Sequence, residues 1–244
     1  MKQEMNMYTQ EDQKVWNLLF TRQFGNLKKI GSTHYLQSLM DMASVINEHS
    51  IPNFDKVNIW FATTTKWEIV VVKGLIPVDE FFALLAQKKF CSSTWIRDLK
   101  SLDYLEEPDM FHDTFGHIPL LSNPTFSLFA EKIGALGVQF KNNEKAVLAL
   151  QRLYWFTIEF GLIMEKGAAK IFGAGIISSY GETNKIAMLN CNIHPFNIDQ
   201  ILEKSFENDV MQEDYFNIDN LEQLNESLYI VEQKLRHYEL EFKE

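Results

Sequence analysis

The stretch "EEPDMFHDTFGHIPLL", Glu106–Leu121, sets His112 and His117 five residues apart, with Asp113 and Gly116 between them. In a regular α-helix a five-residue step turns the side chain by roughly 140°, whereas a four-residue step returns it to within roughly 40° of the same face. The two imidazoles therefore cannot form the usual helical metal pair, and they converge only if the backbone leaves the α-helix between them. Gly116, with Pro119 just beyond, offers a place for the helix to end. The alternative is that each is an ordinary histidine, hydrogen-bonded at the edge of an apolar patch.

A second stretch bears on that choice. "RLYWFTIEFGLIM", Arg152–Met164, places Glu159 inside an almost wholly apolar helical run. A buried carboxylate costs several kcal/mol unless a cation or hydrogen-bond donors compensate it. Arg152, two turns away on roughly the same face, would make a salt bridge. Taken with His112 and His117, a metal is the better partner. Two imidazoles and one carboxylate form the facial triad of non-haem Fe(II) oxygenases, with coordination positions left open, and zinc accepts the same ligands.

The rest of the chain bounds what such a centre serves. With 244 residues, 46% hydrophobic and 13% aromatic, it can bury a large core in one domain, and no repeat or Pro/Gly/Ser linker divides it. Helices are predicted over about Gln10–Phe24, His34–Glu48, Pro77–Lys88, Pro124–Phe140, Glu144–Met164 and Asn220–Tyr238, with Pro77 and Pro124 in first turns. "WEIVVVK", "NIWFATT" and a segment near "KIAMLNCNI" read as short strands. The class is mostly α with a small β-sheet. A formal charge of -10 speaks against nucleic acid and anionic membranes as partners and leaves small molecules. Neither a signal peptide nor a run of about 20 apolar residues is present, so a cytoplasmic protein is expected. Cys91 and Cys191 lack CxxC spacing and are expected to be reduced.

"EPDMFHDTFGHIPLL", "RLYWFTIEFGL" and "FGAGIISSYGE" together resemble the signature blocks of the pterin-dependent aromatic amino acid hydroxylases, and are most similar to the compact bacterial phenylalanine 4-hydroxylases. The resemblance covers roughly Lys56–Leu224 in consistent order. It implies that residues 1–244 form a single catalytic domain of that fold, without a regulatory domain, and that His112, His117 and Glu159 hold Fe(II). It further implies that Gly74, Leu75 and Ile76 contact tetrahydrobiopterin or a related tetrahydropterin and that Phe81 stacks on its ring. Asp113 takes the place of an acid near the pterin, or orients His112 as a hydrogen-bond acceptor.

On the same resemblance Arg97 receives the substrate carboxylate, Asp109 holds Arg97, Trp155 walls the aromatic pocket, Ser178 offers a hydroxyl near the carboxylate and Glu182 is an acid near the iron. Leu105 stands where animal members have a threonine, and Cys91 where they have a histidine. "EKSFENDVMQEDYF" falls in the region that tunes substrate choice. The implied reaction is hydroxylation of L-phenylalanine to L-tyrosine with O₂, by a monomer. Alternatives are a hydroxylase preferring tryptophan and a zinc hydrolase using the same triad, with Asp113 as base. "FGAGIIS" lacks the third glycine of a dinucleotide loop, which disfavours a nicotinamide enzyme.

Overall fold

The computed structural model describes residues 1–103, 105, 107–208 and 210–241, with side chains through 238. Glu106 of the histidine stretch, Asp209 of the substrate-tuning segment and residues 242–244 of the expected domain lie outside the described residues.

Helix α1 (Gln10–Ile30) opens on a capping box between Thr9 and Asp12 and buries Val15, Trp16, Leu19, Phe20, Gln23 and Leu27 at three- and four-residue steps. It runs a turn and a half past its expected end, closing on Lys28 and Lys29, where cations suit the helix dipole. Helix α2 (Thr33–Asp41), capped by Ser32, stops about two turns short of its expected end at Glu48. The stretch expected as a strand, "NIWFATT", lies mostly in helix α3 (Phe54–Ala62). Its buried residues, Phe54, Val57 and Phe61, follow a helical step, and Asn53 caps it through Lys56 N.

Strand β1 (Glu68–Val71) and strand β2 (Lys89–Ser92) pair in parallel, with helix α4 (Val78–Leu85) as the crossover between them. Pro77 is the N-cap of α4, one position before the first turn in which it was expected. A π-helical turn (His112–His117) then runs straight into α5 (Ile118–Leu121). Helix α6 (Pro124–Gln139) starts on its proline as expected, capped by Asn123. Helix α7 (Glu144–Tyr154) passes into a second π turn (Trp155–Glu159). "GLIM" is therefore no helix. Leu162–Glu165 is strand β3, a hairpin with β4 (Ala168–Ile171), and the expected helix to Met164 ends at Glu159.

Short helices α8 (Ala174–Ser178) and α9 (Tyr180–Ala187) precede strand β5 (Asn192–Pro195), helix α10 (Ile198–Glu203), strand β6 (Asp214–Ile218) and helix α11 (Leu221–Glu241). The strand expected near "KIAMLNCNI" is β5, which starts near the end of that segment; its first residues complete α9. The second sheet has the order β4-β3-β6-β5, with β6 parallel to both neighbours. The chain is thus mostly helical, as periodicity required, but its β part is two small sheets. One continuous core extends from Val15 in α1 to Leu235 in α11. Among the described residues, no helix is long and apolar enough to cross a membrane.

Candidate active site

The two histidines meet because the helix widens between them. In the first π turn hydrogen bonds reach back five residues, as from Ile118 N–H to Asp113 O, so the fifth residue comes round over the first. The helix neither breaks nor ends at Gly116, contrary to the expectation from Gly116 and Pro119. Gly116 serves close packing: a Cβ there would stand 2.9 Å from Ala174 O in α8. Pro119 offers no N–H to the carbonyl of Phe115 four residues back, and the buried Tyr35 hydroxyl donates to that oxygen at 2.6 Å instead. Phe115 stacks on Phe111 at 4.8 Å and meets Phe20 edge-on, so α1 and α2 clamp the turn in place. Burying each such ring contributes about 1.5–3 kcal/mol.

The second turn repeats the device. Phe160 N–H reaches back five residues to Trp155 O at 2.9 Å, and the turn delivers Glu159 as its last residue. In both turns a threonine hydroxyl bonds the carbonyl four residues back, Thr114 to Met110 O and Thr157 to Leu153 O. Gly173 permits the return of the chain, since a Cβ there would lie 2.4 Å from Glu159 O.

His112 Nε2 and His117 Nε2 are 3.1 Å apart, and His117 Nε2 lies 3.1 Å and His112 Nε2 3.7 Å from the Glu159 carboxylate. Among the described residues, these three form a group able to offer one metal-ligand atom each, all within 4.8 Å. Arg152, the alternative partner of Glu159, instead donates to Leu202 O at 2.8 Å. Burial pushes the Glu159 carboxyl upward, but the facing His117 and His112 outweigh it and hold it below the usual carboxylate range. Burial lowers His112 to about 4, which keeps its imidazole neutral and able to ligate. His112 Nδ1 lies 2.8 Å from Ser178 Oγ, whose own proton goes to Ala174 O at 2.9 Å. The serine oxygen therefore accepts from Nδ1–H, and the lone pair of Nε2 points at the other two ligands.

This donor set can close on one shared ion. Ligand atoms about 2.1 Å from a shared ion stand about 3.0 Å apart at a right angle and about 3.4 Å at the tetrahedral angle. The two 3.1 Å separations are near the right-angle value and the 3.7 Å one exceeds both, so a shared ion would draw His112 and Glu159 closer together. Two nitrogens, one carboxylate and open positions suit Fe(II).

Two cavities share this centre. The first, about 320 Å³, is bounded by Gly74, Leu75, Ile76 and Phe81 opposite His112, Asp113, His117 and Glu159. Phe81 meets Tyr154 edge-on at 5.1 Å, and Tyr154 and Phe90 lie over His117. Asp113 Oδ2 accepts from Ser92 Oγ at 3.0 Å and Ser93 N at 3.1 Å; burial raises its carboxyl to about 7. Asp113 does not orient His112, as one sequence reading had it, because Nδ1 is taken by Ser178. Cys91 lines the same cavity, and burial pushes its thiol to about 12, so it stays a free thiol.

The second cavity, about 360 Å³, adjoins the first and shares Leu75, Trp155, His112 and Glu159 with it. Arg97 lines it, held by Asp109 through Nε–Oδ2 and Nη2–Oδ1 contacts of 2.8 Å, with Asp109 wholly buried. Asp109 Oδ1 also accepts from His112 N–H at 3.1 Å, so the arginine clamp and the metal ligand share one carboxylate. Trp155, Ser178 and Glu182 line the cavity as well, with Leu105 at its edge. Every residue singled out in the sequence thus borders the triad or its cavities, except Asp109, which sits behind Arg97. Glu182 accepts from Gln212 N at 2.8 Å and from the Tyr215 hydroxyl.

Sequence reasoning gave no individual role to Tyr154, Phe90, Phe206, Gln212 or Tyr215, although the last three lie in "EKSFENDVMQEDYF", which it placed in the region that tunes substrate choice. Tyr154 stands next to Trp155 in "RLYWF" and was legible as an aromatic one turn before Glu159. Phe90 comes from β2, whose approach to the site no local pattern announces.

The chain is similar along most of its length to proteins of one family. The sequence description "Biopterin-dependent aromatic amino acid hydroxylase" matches residues 3–244. The phenylalanine-4-hydroxylase of Ralstonia nicotianae is 38% identical over 225 residues, 92% of this chain and 71% of that protein. The phenylalanine hydroxylase of Chromobacterium violaceum, solved with iron(III) and the oxidised cofactor 7,8-dihydrobiopterin, is 37% identical with a TM-score of 0.88 over 97% of this chain and 86% of that one. The same enzyme with iron and phenylalanine bound gives a TM-score of 0.87 at 35% identity over 97% and 87%. With a His/His/Glu face, adjoining cavities and a match along nearly its whole length, this chain belongs to the biopterin-dependent aromatic amino acid hydroxylases.

Proposed function

We propose that this chain is an iron- and tetrahydropterin-dependent monooxygenase that converts L-phenylalanine to L-tyrosine with O₂. The observation that carries the reading is the open face formed by His112, His117 and Glu159 where two adjoining cavities meet. One cavity suits a flat heterocycle and the other an amino acid, each within reach of the same ion. Iron and the tetrahydropterin supply the electrons and the oxygen chemistry.

The residues of the chain supply position and surroundings. His112, His117 and Glu159 hold the metal. Gly74, Leu75 and Ile76 bound the pterin cavity, and Phe81 offers an aromatic face to the ring. Asp113, anchored by Ser92 and Ser93, presents a carboxyl to the same cavity. Arg97, fixed by Asp109, has Nη1 for the substrate carboxylate beyond its contact with Leu102 O, and its planar fork suits that group. Trp155 walls the substrate ring, and its bulk favours phenylalanine over tryptophan. Ser178 orients His112, and Glu182, raised by burial, lies in the substrate cavity as an acid held by Tyr215 and Gln212.

The single continuous core supports one catalytic domain; the monomer and the cytoplasmic location belong to the same reading and are tested by sedimentation velocity and cell fractionation. Incubating iron-loaded protein with phenylalanine, a tetrahydropterin and O₂, then measuring tyrosine by chromatography, tests the activity. No tyrosine, or more 5-hydroxytryptophan than tyrosine from an equimolar mixture, overturns the assignment.

A further inference from the structure

Gln212 joins more parts of the substrate cavity than any residue the sequence singled out. Its side-chain Oε1 accepts from Trp155 Nε1 at 3.1 Å, and its Nε2 donates to Glu207 O at 2.9 Å and Val210 O at 3.1 Å. Its backbone N–H donates to Glu182 Oε1 at 2.8 Å, and its carbonyl accepts from the Tyr215 hydroxyl at 3.0 Å. Gln212 is 7% exposed, so these groups are bonded inside the protein and not by solvent. A primary amide has an acceptor and two donors, and here the acceptor faces one wall of the cavity while the donors face another.

Trp155 needs such a fixture. Its indole is stacked on Phe206 at 4.5 Å and 20° and tilted over Phe160 at 4.7 Å. Stacking sets the distance between ring planes but leaves a ring free to slide and turn within its plane. The hydrogen bond from Nε1 fixes that remaining freedom. The stretch that supplies Asn208, Val210 and Met211 to this cavity, and Phe206 to the adjoining one, lies between α10 and β6, and its Glu207 and Val210 carbonyls are tied by the same amide.

We propose that Gln212 is a positioning residue for substrate selection: one amide locks the Trp155 indole and the backbone at Glu207 and Val210 into a single arrangement. Together they set how sharply the cavity separates phenylalanine from tryptophan. The inference rests on the reading of Trp155 as a wall of the substrate cavity. Gln212 touches neither substrate nor metal in this role and acts through the two walls it joins. The amide is needed in both its capacities. A carboxylate at this position would still accept from Trp155 but would face the Glu207 and Val210 carbonyls with no proton to give, and a leucine would do neither.

The test uses iron-loaded wild type, Gln212→Leu, Gln212→Glu and Trp155→Phe, each given equimolar phenylalanine and tryptophan with a tetrahydropterin. Tyrosine and hydroxytryptophan are measured, with separate KM values for phenylalanine and pterin. Gln212→Leu is expected to lower the tyrosine to hydroxytryptophan ratio about tenfold, chiefly through the phenylalanine KM, with the pterin KM changing by no more than about twofold. Gln212→Glu, which keeps the Trp155 contact, should lose less, and it carries the test should the leucine variant not fold. If Trp155→Phe shifts the ratio while both Gln212 variants keep it, or lose only kcat equally on both substrates, Gln212 is merely structural and the inference falls. A ratio unmoved by Trp155→Phe instead overturns the reading of the wall itself, and the inference with it.

Discussion

Replacing Ser178 by alanine separates two roles that the sequence could not. The resemblance assigned its hydroxyl to the substrate carboxylate, whereas the structure engages it with a metal ligand. Its one proton is committed to Ala174 O at 2.9 Å, so its oxygen faces His112 Nδ1 at 2.8 Å as an acceptor. Without it, the buried Nδ1–H is either left unpaired, at a cost of about 1–3 kcal/mol, or the proton moves to Nε2 and blocks the metal-facing lone pair. Loss of such an orienting contact typically lowers metal affinity about 10–100-fold, which is about 1.4–2.8 kcal/mol. Ser178→Ala should therefore weaken Fe(II) binding within that range, and Ser178→Thr should recover most of it. The assay is anaerobic competition between the protein and a chromogenic chelator. An Fe(II) dissociation constant within twofold of wild type, together with a raised phenylalanine KM, would refute the argument and return Ser178 to the substrate.

Glu159→Ala should abolish iron-dependent turnover, and chelation should lower the wild-type melting temperature, because ligand at 100 times its dissociation constant stabilises a fold by about 2.7 kcal/mol; a chelator-insensitive melting curve would contradict the site. Phe81→Ala should raise the pterin KM several-fold, in line with about 0.5–1.5 kcal/mol for aromatic stacking, with a smaller change for phenylalanine, and equal effects on both would point to a folding defect. Asp109→Ala leaves Arg97 buried without its carboxylate and should cost about 3–5 kcal/mol, or roughly 6–20 °C in melting temperature by calorimetry. Burial opposes the Asp109 charge, but Arg97 overcomes it and holds the carboxyl below its usual range. A lowered folded-state pKa gives stability that is complete above the unfolded value and lost as pH falls through the folded one. The gap between wild type and variant should then persist at neutral pH and close only below about pH 4.

The sequence by itself determined the class and the ligand set. Apolar residues three and four apart marked six of the helices, and an acid in an apolar run demanded a cation. The five-residue histidine spacing was incompatible with an α-helical pair, and that incompatibility is resolved by a π turn. Nothing in "HDTFGH" distinguishes a helix that widens from one that stops, because the choice depends on groups far along the chain. Tyr35 takes the carbonyl that Pro119 leaves without a donor, Ala174 leaves room only for Gly116, and Phe20 pins Phe115. "NIWFATT" went wrong for a related reason: a short apolar run fits either period, and its cap at Asn53 with burial of Val57 and Phe61 decides for the helix. The partners of the site residues were likewise settled in three dimensions. Ser178 turned to His112, Arg152 to Leu202 and Gln212 to Trp155, across separations of 66, 50 and 57 residues. A sequence states which donors and acceptors a buried site has available, but only packing fixes which of them stand within hydrogen-bonding distance.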